Sequence, residues 1–167
     1  EKGATDMSTI DYYDQNAQEY YERTVDADLA EIREYFLGFL RRDARILDFG
    51  CGSGRDAKAF AEAGRIVEAL DGSQELCRIA SEYLGMDVRN MMFQDFEETE
   101  AYDGLWACAS ILHLTYEEIM DVMKRIHGAC VLYDVQIRDL RGRTRRTVLY
   151  GFRRKENGKT SGGTELF

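Results

Sequence analysis

At 167 residues, with 44% hydrophobic and 32% charged side chains, the chain is sized for one domain whose core needs no disulfide or metal staple. Its 22 Lys and Arg against 31 Asp and Glu give a formal charge of −9, and no apolar run approaches the ~20 residues of a membrane span. The four cysteines, Cys51, Cys77, Cys108 and Cys130, form no CxxC pair. Fibrous, disordered, membrane-spanning and small secreted classes are thereby excluded, no metal site is expected, and a reducing cytoplasm is the expected setting.

Met7-Ser8 reads as a natural start, with residues 1–7 as a tag or disordered lead-in and no secretory leader. DYYDQNAQEYYERT follows, with Tyr12, Tyr13, Tyr20 and Tyr21 at near-helical spacing; the pattern fits a packing seam or a lid over a ligand. Leu29, Ile32, Phe36, Leu37 and Leu40 predict an amphipathic helix capped by Asp26 or Asp28. From residue 44 short apolar runs alternate with helical patterns. Residues 44–49 predict a buried strand, 55–64 a helix stopped by Gly64, 65–70 a second strand, and 73–85 a helix from Ser73 to Gly85. Strands at 87–93 and 102–110 follow. Thr115 and Glu118 have the spacing of a capping box for a helix striped by Ile119, Val122, Met123 and Ile126. ACVLY, 129–133, is the fifth strand. Alternation of this kind specifies an α/β fold, a Rossmann-like, doubly wound, mostly parallel sheet with helices on both faces. The domain is expected over residues 8–137, with 138–167 an atypical basic tail, either part of the same domain or loosely ordered, holding one short strand-like run at 148–152.

The candidate chemistry lies at the C-terminal ends of the first four strands, where open parallel sheets bind ligands. Asp48-Phe49-Gly50-Cys51-Gly52-Ser53-Gly54 ends the first; its alternate glycines let the backbone turn sharply and approach a ligand. Asp71, seventeen residues beyond Gly54, ends the second and suits the two hydroxyls of a ribose. Gln94-Asp95-Phe96 ends the third, an acceptor for an exocyclic amine beside a flat apolar face. Together they imply an adenosine across the sheet edge. A dinucleotide turn needs Gly where Arg55 stands, and a P-loop needs Lys before Ser or Thr. Asp48 disfavours a pyrophosphate and suits a cationic amine, so an adenosine bearing an amino acid and a positive sulfur satisfies all three acids.

ILDFGCGSG, EALDGS, FQDF and YDGLWACASILHL, in that order, resemble the class I S-adenosylmethionine-dependent methyltransferases, above all the small bacterial type 11, type 12 and tellurite-resistance-like enzymes. The resemblance covers about residues 8–133. It implies S-adenosylmethionine as cofactor, methyl transfer to a small-molecule acceptor, and a seven-stranded sheet whose last strand is antiparallel. It implies further that Gly50 and Gly52 line the methionyl part, Asp71 with Gly72 holds the ribose, Asp95 and Phe96 meet the adenine, Ala109 borders the sulfonium, and Tyr13 and Tyr20 form the lid. No catalytic residue is assigned; His113, after the fourth strand, is the candidate, against a structural role flanking the next helix. His127 reads as a helix-dipole partner, Trp106 as core, and Cys51 as an unreactive thiol.

Two features depart from that family. Proline is absent, where about eight would be usual at ~5%, and the turn before the fifth strand is about four residues short. Residues 1–137 hold 13 Lys and Arg against 28 Asp and Glu, whereas 138–167 hold 9 against 3. Back-translated with degenerate codons and read one base out of register, residues 134–167 permit a string that looks like the ordinary ending of these enzymes. A frame change after Tyr133 is therefore expected, and with it incomplete C-terminal strands and an altered acceptor region. The alternative function is a cofactor-binding module that no longer turns over. Nucleic-acid methylation is not expected, since the acidic body repels phosphates and no Asn/Asp-Pro-Pro-aromatic motif follows the fourth strand.

Overall fold

A computed structural model of the chain describes residues 8–111, 113–138, 144–145, 149–156 and 159–166; the expected lead-in at 1–7 lies outside them. Three short helices open the chain, α1 (Thr9–Gln15), α2 (Ala17–Thr24) and α3 (Ala30–Leu37). Then come β1 (Arg45–Phe49), α4 (Arg55–Glu62), β2 (Ile66–Asp71), α5 (Gln74–Leu84), β3 (Arg89–Asn90), a 3-10 turn (Phe93–Asp95), β4 (Tyr102–Cys108), α6 (Tyr116–Ala129) and β5 (Cys130–Arg138). β6 (Thr144–Arg145), β7 (Leu149–Glu156) and β8 (Lys159–Leu166) complete it. The main sheet runs β3-β2-β1-β4-β5-β6. It is parallel throughout except for β6.

The sheet's period of two sorts the core. Leu47 and Phe49 of β1 face α6, meeting Leu70, Leu105, Val122 and Ile126. Ile46 faces the other way with Trp106, onto Phe36 of α3 and Phe60 of α4. Cysteine and alanine residues, Ala57, Ala69, Cys77 and Ala80, let α4 and α5 approach β2 closely. With both faces covered, β1 is buried from Ile46 to Phe49, as a central parallel strand must be. Local chemistry ends the helices where the sequence predicts. Ser73 caps α5 by accepting from Leu76 N (3.1 Å), and Gly85 closes it at φ 67°. Thr115 and Glu118 exchange bonds at the start of α6, and Asp28 accepts from Ala30 N at 2.9 Å.

Three expectations change. The third strand shrinks from 87–93 to two residues, because it pairs only with β2 and the chain then turns inward to stack Phe93 on Phe49, centroids 4.6 Å apart. The fifth strand extends past 133 to Arg138, since its partner β4 offers a backbone ladder as far as Cys108, opposite Gln136. In the tail, where one strand at 148–152 is expected, the described residues form two, β7 and β8, paired antiparallel in a separate two-stranded sheet. Among the described residues the main sheet has six strands, with the two-residue β6 as its antiparallel edge. Among the described residues no helix is long and apolar enough to cross a membrane.

Candidate active site

The strand order reverses between β1 and β4, each next to the other but leading to helices on opposite faces, and a crevice opens above that point. A cavity of about 270 Å³ occupies it. Its floor is Gly50 and Gly52, one wall is Asp71, Gly72, Met92, Phe93 and Gln94, and the other is Cys108, Ala109, Ser110, His113, Leu114 and Glu118. Ser8, Thr9, Ile10, Tyr13 and Tyr20 cover it, with Leu76 behind.

The floor requires glycine. Gly50 has φ +81°, and a Cβ there would lie 2.2 Å from Ser110 Cβ. Gly52 has φ +54°, with Tyr20 Cε1 3.0 Å from where its Cβ would stand. Gly50 N and Cys51 N both donate to Leu70 O (2.9 and 3.0 Å), which ties the turn to the end of β2. Asp71 tightens the same joint: Oδ2 accepts from Gly52 N and Oδ1 from Ser73 N, each at 2.9 Å. Burial nonetheless raises its pKa, against those bonds. Ala109 sits at φ 58°, a left-handed conformation unusual for a residue with a Cβ, where β4 turns into the wall.

Tyr13 and Tyr20 both line the cavity. Tyr13 Oη lies 2.8 Å from His113 Nε2, and the Tyr13 ring packs edge-on against Tyr20 at 5.3 Å. Burial, with Tyr13 and Asp71 adding to it, pushes the Tyr20 phenol up to about 12, so it stays protonated. Asp14 fastens α1: its Oδ1 accepts from Ser73 Oγ at 2.5 Å and Glu75 N at 3.2 Å, at the start of α5. Two buried polar atoms on the cavity wall, Gln94 Oε1 and Ser110 Oγ, have no hydrogen-bond partner among the described residues.

Of the residues expected from the sequence, Tyr13, Tyr20, Gly50, Gly52, Asp71, Gly72, Ala109 and His113 meet at this one cavity. Three do not. Asp48 is 2% exposed and turns beneath the glycine loop to accept from Ala57 N at 3.0 Å. Phe96 is fully buried against Phe49, ring centroids 5.2 Å apart. Asp95, in the 3-10 turn, is exposed away from the wall. The early end of β3 shifts the register, so Phe93 and Gln94 occupy the wall instead of Asp95 and Phe96. Glu118 and Leu114 reach it only because α6 starts beside it, for which no local signal exists.

A glycine floor and a strand-end carboxylate at the switch point of a sheet ordered 3-2-1-4-5 define an α/β protein with the class I methyltransferase fold. Residues 46–131 match the methyltransferase domain family, and the chain belongs to that family. A curated uncharacterized methyltransferase of Staphylococcus carnosus (strain TM300) is 27% identical over 112 residues, 62% of this chain and 54% of that protein. The chain therefore spans about half the length of the curated relative it matches. Among solved structures, a TehB-like SAM-dependent methyltransferase of Corynebacterium glutamicum aligns with a TM-score of 0.67 at 20% identity, over 77% of this chain and 76% of that one. Magnesium protoporphyrin IX methyltransferase of Synechocystis PCC 6803 aligns at 0.66 and 14% identity, over 99% of each chain. Both likenesses are of fold.

Proposed function

We propose that the protein transfers a methyl group from S-adenosylmethionine to a small-molecule acceptor. The observation that carries this reading is the joint at Gly50, Gly52 and Asp71, where bare backbone and one half-buried carboxylate face the same cavity. The residues fit the donor group by group. Gly50 and Gly52 present bare backbone at the cavity floor, which would suit the methionyl chain. Asp71 stands where ribose hydroxyls donate, with Gly72 beside it. Gln94 Oε1, which has no hydrogen-bond partner among the described residues, would suit the exocyclic amine of adenine, and Phe93 and Met92 line the same wall. The bound donor supplies an activated methyl group on a good leaving group. The protein's part is alignment and exclusion of water, through the α1–α2 cover and the wall at 108–110.

Titration calorimetry with S-adenosylhomocysteine tests the reading. Asp71→Asn should weaken binding about 10- to 160-fold, the equivalent of one charge-assisted bond at ~1.5–3 kcal/mol. Ribose hydroxyls bond the ionised carboxylate, whereas burial favours its protonated form in the free protein. Affinity should therefore fall on acidification, beginning above the ordinary carboxylate value of 3.8. The Asn variant should lack that fall, and an unchanged pH profile in it would remove Asp71 from the site.

A second reading, a donor-binding module without turnover, is supported by the C-terminal strands. Among the described residues β7 and β8 form their own sheet, and the two residues of β6 extend the main one. Donor binding without product from any acceptor would favour it.

A further inference from the structure

We infer that Arg55 is a positioning residue for the methionyl end of the donor: it clasps the end of α2 to the start of α4 and so holds the Tyr20 ring over Gly52. The inference rests on the reading that the cavity takes S-adenosylmethionine. It concerns a side chain that is not itself part of the cavity lining.

Arg55 and Asp56 open α4 directly after Gly54, so whatever they hold is tied to the glycine loop. Asp56 is buried and accepts from Arg55 Nε (3.0 Å) and Nη2 (2.8 Å), from Arg33 Nη1 on α3 (2.7 Å) and from Trp106 Nε1 on β4 (3.0 Å). The two-pronged bond fixes the plane of the Arg55 guanidinium. Its remaining nitrogen, Nη1, donates to Thr24 O at 3.1 Å. Thr24 ends α2, where helix carbonyls lack intrahelical partners and a cation is favoured. Of the α2 residues only Ala17 is buried, so burial alone does little to fix where that helix lies. Thr24 Oγ1 donates to Tyr20 O at 2.8 Å, one turn earlier. The Tyr20 ring then lies across the loop, with Cε1 3.0 Å and Oη 3.3 Å from where a Cβ on Gly52 would stand. The contacts thus run from the loop through Arg55 to Thr24, and back to the loop through Tyr20. Asp71, at the ribose end, accepts from Gly52 N and Ser73 N and takes no bond from this clasp. A lysine at position 55 could not make the clasp, because one ammonium on a flexible stem cannot hold both Asp56 oxygens and Thr24 O together.

Titration calorimetry with two ligands separates this role from general support of the fold. S-Adenosylhomocysteine carries the amino-acid chain, and 5′-methylthioadenosine lacks it. Arg55→Met leaves Asp56 its bonds from Arg33 and Trp106. It should weaken S-adenosylhomocysteine about tenfold or more, the loss of one hydrogen bond from a charged group, with methylthioadenosine within about twofold. In a Tyr20→Ala background the same substitution should change affinity by less than about twofold, since Arg55 acts through Tyr20. Arg55→Lys, which keeps the charge beside Asp56, should show the same selective loss and decides the matter if the Met variant fails to fold. Equal losses on both ligands, no loss on either, or an undiminished loss in the Tyr20→Ala background would overturn the inference. If the native protein binds neither ligand, the donor reading beneath it falls instead. Hydrogen exchange then reads the clasp by itself: faster in α2 of Arg55→Lys if the clasp holds that helix, unchanged if it does not.

Discussion

Asp48 and Asp71 end adjacent strands with the same side chain and do different work. Asp71 faces the cavity and clasps two loops. Asp48 lies sealed below, its pKa pushed well up by burial and then by the nearby charge of Asp56. Burial acts on Asp56 too, but hydrogen bonds from Arg55, Arg33 and Trp106 outweigh it and hold that carboxyl low. Because folded Asp48 keeps a proton that the unfolded chain releases, stability falls as pH rises from the ordinary carboxylate range through the raised value. Asp48→Asn retains an oxygen for Ala57 N and removes this dependence. Urea unfolding across pH should show the variant gaining on the native protein toward neutrality and converging with it in acid. Parallel curves would mean that Asp48 is not protonated in the fold.

Among the elements, α1 is the one whose existence depends on docking. It has seven residues and none of them is buried, too short to persist alone. Its capping box, Ser8 with Asp11, orders one end. Asp14 at the start of α5 and Tyr13 at His113 hold it to the body. Asp14→Ala removes a carboxylate that caps a second helix, worth about 0.5–2 kcal/mol. Hydrogen exchange in α1 should accelerate about 2- to 30-fold, that energy expressed as local opening, while β1 and β4 keep their protection. Acceleration throughout the sheet would make Asp14 a residue of global stability instead of a latch.

For the whole molecule, the described cavity is lined by positions 8 to 118, all before the basic tail. We propose that the tail arises from a frame change after Tyr133, which sequencing the gene decides: absence of an alternative frame with the family's ending refutes it. β5 crosses that point without interruption, because a parallel ladder is made by backbone groups that ignore which side chains they carry. A chain ending at Arg138 should bind S-adenosylhomocysteine within about threefold of the full chain, a difference below ~0.7 kcal/mol. A loss beyond tenfold would place the tail in the donor site.

The sequence alone determined the α/β alternation, the glycine floor, Asp71 and the caps at Ser73, Gly85 and Thr115, because each follows from local rules: side-chain period, φ above zero, and hydrogen bonds within four residues. Only the tertiary structure decided that Asp48 and Phe96 are core, that Phe93 and Gln94 form the wall, and that Tyr13 meets His113. Those outcomes depend on where β3 stops pairing and on how helices distant in sequence settle across the sheet, and the energy that fixes them comes from contacts between segments that no local pattern records.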